Sequence, residues 1–310
     1  MKLLFMGTPD FAVPSLRALQ ASQHEVMSVV TATDKPCGRG LKIKPSPVKQ
    51  VAKQLGLPVL QPTDLKDSKF IEDIQRLNAE LFVVVAFRIL PPEVFTLPPH
   101  GTINLHASYL PKYRGAAPIN WAIINGEKET GVTIIQINEK VDTGEIVLQE
   151  KVPIGAEETA GELHDRLATI GAECLLRAVA LIESGNVATI RQTEEGSRAP
   201  KLSRELCHIQ WNQPAETIYN LVRGLCPVPG AYTNLRGKMI KLYRVRPAGH
   251  APTSAAPGEI VRRGNRPGTL AVATGAGLLH IQELQPEGKR RMSAEDFLRG
   301  HPLKAGDRFE

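Results

Sequence analysis

The 310-residue sequence predicts an α/β protein: a Rossmann-like, mostly parallel sheet domain over residues 1–190, a linker over 191–206, and a basic C-terminal β-barrel domain of the oligonucleotide-binding type over 207–310. Three observations predict it. Short apolar runs alternate with amphipathic stretches through the first half, the pattern of βαβ units. Beyond a polar stretch rich in Glu, Ser, Arg and Pro at 191–206, the runs become short and are punctuated by Gly, Pro and Asn. The charge also divides: residues 1–200 carry 21 Lys and Arg against 23 Asp and Glu, whereas residues 201–310 carry 17 against 9. A basic region joined to a slightly acidic one suggests a polyanionic partner, nucleic acid first among them, the alternative being a solubilising basic face.

Residues 2–6, 26–32, 58–60 and 81–86 read as strands, the last near-continuously apolar, as a strand buried on both faces must be. Between them, 11–20, 46–55 and 68–78 have helical spacing, with Asp10 and Ser46 as N-caps. Further strands are expected at 101–106, 130–138 and 145–153, then a helix over 160–184, where Leu163, Leu167, Ile170, Cys174, Leu175, Ala178, Leu181 and Ile182 form one stripe. Cys174 is therefore read as packing. After a short helix near 214–224, the runs 230–235, 238–247, 258–262, 268–274 and 277–284 are barrel strands, and Gly275-Ala276-Gly277 reads as a hairpin turn.

Several function classes drop out. No apolar run approaches the ~18 residues a membrane span needs, and the first ten residues are too short for a signal peptide, so a cytoplasmic protein is expected. Cys37, Cys174, Cys207 and Cys226 are widely spaced and form neither a disulfide framework nor a zinc site. The turn Gly7-Thr8-Pro9-Asp10 sits where a dinucleotide-binding glycine fingerprint would, but the fingerprint is missing, and no phosphate-binding P-loop occurs.

Ligands of a parallel sheet bind outside the carboxyl ends of its strands. There the informative stretch is 104–118, Asn-Leu-His-Ala-Ser-Tyr-Leu-Pro-Lys-Tyr-Arg-Gly-Ala-Ala-Pro. In an extended segment Asn104 and His106 point to the same side. An amide donor beside an imidazole suits stabilising an oxyanion or shuttling a proton in acyl transfer. Asp142, in Val-Asp-Thr-Gly after the preceding strand, is a candidate third member that would orient His106 and favour its charged form. By pattern alone an Asn-x-His is more often structural than catalytic, and neither Asn104 nor Asp142 stands out. The basic stretch 34–49 holds five cationic residues with two glycines and three prolines. Helix or strand is not expected through its first twelve residues, and it suits ordering against RNA, Arg39 foremost.

The set Gly-Thr-Pro-Asp-Phe at 7–11, Gly-Arg-Gly at 38–40, Pro-Ser-Pro-Val at 45–48, the whole of 104–118, Glu-Thr-Gly-Val-Thr at 129–133, Asp-Thr-Gly at 142–144, Ala-Pro-Lys-Leu-Ser at 199–203 and Pro-Glu-Gly-Lys-Arg-Arg-Met-Ser-Ala at 286–294 closely resembles the methionyl-tRNA formyltransferase family. The resemblance runs over essentially the whole chain. Its central motif is common to users of 10-formyltetrahydrofolate; the basic C-terminal region and the Gly-Arg-Gly segment point to tRNA.

The resemblance implies formyl transfer from 10-formyltetrahydrofolate to the α-amino group of methionine on initiator tRNA. Catalysis then falls to Asn104, His106 and Asp142, with no metal, in a monomer without membrane attachment. It implies a folate-binding turn at Ser108, Tyr109, Leu110 and Pro111, and a pterin pocket lined by Phe87, Arg88, Ile89 and Leu90. Relatives usually show Tyr-Gly where Phe87-Arg88 stands, so a long cation replaces a residue with no side chain. Arg39 matches the family's key arginine, on a loop with Lys42 and Lys44 that approaches the tRNA end. Lys201 and Arg204 face the tRNA from the linker, and Lys238, Lys241, Arg244, Arg246, Arg262, Arg263, Arg266, Lys289, Arg290 and Arg291 are candidate phosphate contacts. A small-acceptor transformylase or formyl-folate hydrolase leaves the basic region idle. A non-catalytic RNA-binding protein leaves Asn104, His106 and Asp142 as accidents.

Overall fold

The computed structural model describes residues 1–37, 42–193, 195–248, 255–261, 270–303 and 307–310. The chain forms two units, one of residues 1–118, 129–153 and 164–199, the other of 119–128, 154–163 and 200–310. The first is built on strands β1 (Lys2–Gly7), β2 (Glu25–Val30), β3 (Lys35–Cys37), β4 (Lys42–Lys44), β5 (Val59–Leu60), β6 (Leu81–Val85), β7 (Thr102–His106), β8 (Arg114–Gly115), β9 (Glu129–Gln136), β10 (Ile146–Pro153) and β11 (Arg198–Ala199). Seven of these make one sheet in the order β10-β9-β7-β6-β1-β2-β5. Pairing is parallel from β7 through β6, β1 and β2 to β5, and antiparallel at β9 and β10. β1 lies between β2 and β6. The chain order therefore reverses there, opening the crevice in which sheets of this kind bind ligands.

Five residues of β6 are all buried, as their unbroken Leu-Phe-Val-Val-Val run requires. Helices α1 (Val13–Gln20), α2 (Pro47–Gln54), α3 (Ser68–Arg76), α4 (Pro92–Phe95), α5 (Pro118–Ile124) and α6 (Ala160–Glu183) follow in chain order. Ser46 caps α2, its hydroxyl accepting from the Lys49 amide at 3.0 Å. Asp10 does not cap α1. A 3₁₀ turn over Asp10–Ala12 precedes that helix, and the Asp10 carboxylate accepts from its neighbour Phe11 at 3.1 Å and lies 3.6 Å from His164 Nε2. Pro14, lacking an N–H, stands in the first turn of α1, where a cap would otherwise have a donor to satisfy. On α6, Leu163, Leu167, Cys174, Leu175, Ala178 and Ile182 are buried, as their spacing predicts, whereas Ile170 and Leu181 are half-buried.

The segment expected to form neither helix nor strand contains one. Lys35–Cys37 and Lys42–Lys44 pair as an antiparallel ribbon, Pro36 opposite Ile43. In a two-stranded ribbon every second N–H faces outward, so a proline is tolerated. The ribbon's base is held by side chains: Lys49 donates to Asp34 and to Gln61, each at 2.6 Å, and Gln61 donates to Asp34 at 2.9 Å and to the Ala32 carbonyl at 2.6 Å. These bonds, that from Lys49 foremost, hold the Asp34 carboxyl below its ordinary value.

The second unit is a curled antiparallel half-barrel carrying helices α7 (Ala215–Leu225) and α8 (Ala294–Gly300). Its strands are β12 (Ala231–Leu235), β13 (Lys238–Pro247), β14 (Ile260–Val261), β15 (Leu270–Ala273), β16 (Leu278–Pro286) and β17 (Met292–Ser293). The order is β12-β13-β16-β15-β14, with β17 on β16. The chain's last residues bridge the sheet's two edges, Phe309 pairing with Leu235 at the end of β12 and Arg308 with Glu259 before β14. Pairing both edges removes the unpaired strand rims that would otherwise invite aggregation. Inside, Trp211 stacks on Phe309 with centroids 5.6 Å apart and donates to Thr233 at 2.9 Å. Gly275, Ala276 and Gly277 do form the expected turn, Thr274 donating to the Gly277 carbonyl at 3.1 Å. No described helix is long and apolar enough to cross a membrane.

Candidate active site at the carboxyl rim

Strand β7 carries the first two candidates. Its alternation puts Leu105 on the opposite side from Asn104 and His106. There Gly171 of α6 meets it so closely that a Cβ would fall 2.8 Å from the Leu105 side chain, and this seats β7 firmly on the helix. Asn104 is half-exposed, and among the described residues its side-chain amide has no hydrogen-bond partner. His106 is only 6% exposed. Its Nε2 lies 2.9 Å from the Tyr113 carbonyl. A carbonyl can only accept, so Nε2 carries the hydrogen. The other ring nitrogen, Nδ1, stands 3.6 Å from Asp142 Oδ2. Residues distant in sequence thus converge.

Asp142 sits at φ +54 in the loop after β9, a left-handed conformation that Asp adopts more readily than most residues. Its Oδ2 also accepts from the Gly115 amide at 2.9 Å. The loop itself is stapled by Gln192, whose Nε2 donates to the Asp142 carbonyl at 3.0 Å and to the Gly144 carbonyl at 2.8 Å. Gln192 in turn accepts from Arg114 Nε and Nη2 at 3.1 and 2.7 Å. At Gly144 a Cβ would overlap the Gln136 carbonyl at 1.5 Å, so only glycine fits. Just beyond, the Glu145 carboxyl is held below its ordinary value by hydrogen bonds from Thr189, then Arg191. Gln192, Arg114 and the Tyr113 carbonyl brace His106 and the Asp142 loop, and periodicity does not reveal them. Gln192 lies in the stretch expected as linker, where Arg198–Ala199 pairs with Arg114–Gly115.

The two predicted donor-binding segments follow the carboxyl ends of adjacent strands, 87–90 after β6 and 108–111 after β7. Ser108 and Leu110 are buried and support the turn: Ser108 donates to the Lys112 carbonyl at 2.6 Å, and Thr133 donates to the Ser108 carbonyl at 2.7 Å. Gln149 donates to the Leu110 carbonyl at 2.8 Å. Tyr109 and Pro111 are half-buried, with the Lys151 ammonium 5.1 Å over the Tyr109 ring. Leu90 is buried, Phe87 half-buried, and Ile89 76% exposed. Arg88 turns aside to the carbonyls of Pro62 and Thr63, at 2.8 and 3.0 Å.

Of the cationic candidates, Lys44, Lys201, Arg204, Lys238, Arg244, Lys289 and Arg290 are exposed. Lys241 is half-buried and donates to the Pro229 carbonyl at 2.7 Å. Arg246 pairs with Glu157, and Arg291 pairs with Glu283 while lying 4.4 Å over the Tyr243 ring. Lys42 is in β4. Arg39, Arg262, Arg263 and Arg266 lie outside the described residues.

An amide, an imidazole and a carboxylate at the carboxyl rim of a mostly parallel sheet are suited to group transfer, and the class to which the chain matches is that of the formyl transferases. Residues 1–179 match the formyl transferase family and residues 201–302 its C-terminal domain. Relatives named methionyl-tRNA formyltransferase include one from Moorella thermoacetica, 49% identical over 99% of this chain and 98% of its own. Another, from Pelotomaculum thermopropionicum, is 47% identical over 99% and 97%. Among solved structures, the sugar 3N-formyltransferase WlaRD, determined with dTDP and 5-N-formyl-THF, superposes with a TM-score of 0.65 at 20% identity, covering 94% of this chain and 99% of its own. The chain belongs to the methionyl-tRNA formyltransferase family.

Proposed function

We propose that Asn104, His106 and Asp142 are the catalytic set with which this chain moves the formyl group of 10-formyltetrahydrofolate onto the α-amino group of methionine on initiator methionyl-tRNA, in the cytoplasm. The observation that carries the reading is the approach of Asp142 Oδ2 to within 3.6 Å of His106 Nδ1, two residues along β7 from Asn104, whose side-chain amide has no partner among the described residues. That amide fits the donor's needs: it is half-exposed at the rim and free to bond an incoming oxygen.

10-Formyltetrahydrofolate supplies an electrophilic formyl carbon and a nitrogen leaving group. Asn104 donates to the formyl oxygen as charge builds on it during attack by the methionyl amine, an arrangement whose removal costs about 10²–10³ in rate in comparable sites. His106 has its Nε2 hydrogen engaged by Tyr113, so Nδ1 is the position at which it holds or passes a proton. Asp142 faces that position and orients the ring, and the Gly115 amide keeps its carboxylate in place. The turn at 108–111 and the segment 87–90 flank the donor. Arg39, Lys42 and Lys44 meet the acceptor end of the tRNA. Lys201, Arg204, Lys238, Arg244, Lys289 and Arg290, with Lys241 nearby, supply phosphate contacts that position the RNA with little regard to sequence.

The test is formylation of charged initiator tRNA by the full chain and by Asn104→Ala, His106→Ala and Asp142→Asn. All three variants are expected to bind tRNA normally and turn over slowly. Wild-type turnover in the His106 variant would end the assignment.

A further inference from the structure

Arg88 leaves the pocket side of its own segment and reaches another part of the sheet. After β6 the chain turns at Ala86, whose φ of +48 swings the following residues out of strand direction. Phe87 then packs on a core cluster that includes Met6, Val30, Val84 and Leu90. The Arg88 guanidinium lies 5.2 Å over the Phe87 ring, and its two terminal nitrogens donate to the carbonyls of Pro62 and Thr63. Those carbonyls belong to the segment after β5, and β1 and β2 lie between β5 and β6. At a strand spacing of ~4.8 Å, that is a distance of about 14 Å. The bridge therefore joins segments that leave the carboxyl ends of β6 and β5, with β1 and β2 between them in the sheet.

The platform it reaches is itself fixed. Gln61, one residue before, is bonded to the Ala32 carbonyl and to Asp34 and Lys49, and Leu65 is buried. A rigid anchor on one side and a planar fork with two parallel donors on the other restrain a surface loop better than a lone contact. Two of its five N–H donors are taken by main-chain oxygens, so the guanidinium ties its own segment to 62–63.

We propose that Arg88 is a positioning residue for the formyl donor: by tying 87–90 to 62–63 it holds one wall of the donor pocket in its binding conformation before the donor arrives. This rests on the reading above, in which 87–90 flank the donor. Preordering a wall reduces the loop-ordering cost paid on binding, so its loss should appear in donor affinity and little in chemistry.

The test uses the full chain as wild type, Arg88→Ala and Arg88→Lys, with calorimetric titration of tetrahydrofolate, steady-state kinetics for both substrates, and thermal melting. Arg88→Ala should weaken tetrahydrofolate binding about tenfold and raise the donor KM by the same factor, while kcat falls less than twofold and the tRNA KM stays put. The lysine variant, with one ammonium for two carbonyls, should recover part of the loss. Equal tetrahydrofolate affinity in wild type and Arg88→Ala overturns the proposal. So does a lower melting temperature with donor KM unchanged, which would make the bridge purely structural. A loss seen with polyglutamylated folate but not with the monoglutamate would make Arg88 a ligand contact and also overturn it. Absence of tetrahydrofolate binding by wild type would overturn the donor-site reading itself.

Discussion

The rim of the parallel sheet and the exposed cations of the half-barrel are built in opposite ways. At the rim a few side chains are each held by main-chain groups: His106 by the Tyr113 carbonyl, Asp142 by the Gly115 amide, and its loop by Gln192. On the half-barrel, Lys238, Arg244, Lys289 and Arg290 stand in solvent, and what they offer is charge at a place, with little geometry. Transition-state stabilisation needs atoms fixed to fractions of an ångström, whereas phosphate attraction tolerates several. Single substitutions should therefore be severe in the first region and mild in the second.

The largest effects test the fixed region directly. His106→Ala and Asn104→Ala should each lower kcat by about 10²–10³ with tRNA affinity unchanged, read from single-turnover formylation and filter binding. Parallel loss of affinity and turnover would place these residues in the scaffold. Ten- to hundredfold effects are expected one layer out. Gln192→Ala removes two donors from the Asp142 loop and an acceptor from Arg114, and should cut kcat about tenfold in a protein that still folds. Gln192→Glu is the sharper variant. It still accepts from Arg114 but donates nothing to the Asp142 and Gly144 carbonyls, so it should be no better than alanine.

How far these regions could be read from sequence follows the same division. Strand β6 was legible because burial on both faces leaves an unbroken apolar run, and the side-by-side placement of Asn104 and His106 follows from the two-residue period of a strand. The ribbon of Lys35–Cys37 and Lys42–Lys44 was not, because Pro36 and the glycines of the sequence nearby read as breakers while the bonds among Asp34, Lys49 and Gln61 that hold its base have no periodic signature. Gln192 was hidden for a similar reason: a polar stretch reads as linker unless its side-chain to main-chain bonds are known. Helix α8 was not read from the sequence either, although Ser293 caps it, its hydroxyl accepting from the Asp296 amide at 3.1 Å. Asp10 shows the converse, a good capping residue that instead opens the 3₁₀ turn before the helix.

Smaller effects belong to the cationic face. Lys238→Ala, Lys289→Ala and Arg290→Ala should each weaken tRNA binding a few-fold and reduce the slope of log affinity against log salt by about one, without altering the donor KM. Lys241→Ala is expected to differ. Its ammonium holds the Pro229 carbonyl, so a loss of melting temperature should accompany any loss of affinity. If Lys241→Ala changed the salt slope like its exposed neighbours, and the melting temperature stayed fixed, the distinction between held and free cations on this face would fail.

The weakest effect expected is none, and it probes the interior of both units. Burial pushes the Cys174 thiol up to about 11 and raises those of Cys207 and Cys226 as well. At pH 8 only about one Cys174 in a thousand is then thiolate, and the side chain is fully enclosed on the core stripe of α6. Native protein treated with iodoacetamide should leave these three cysteines unmodified over hours, and denaturant should expose them together. Alkylation of Cys174 in the native state, faster than that of Cys207 or Cys226, would mean that α6 opens locally. Because Gly171 of that helix seats β7, such opening would loosen His106 and Asn104 in step, and turnover should then fall as the thiol reacts.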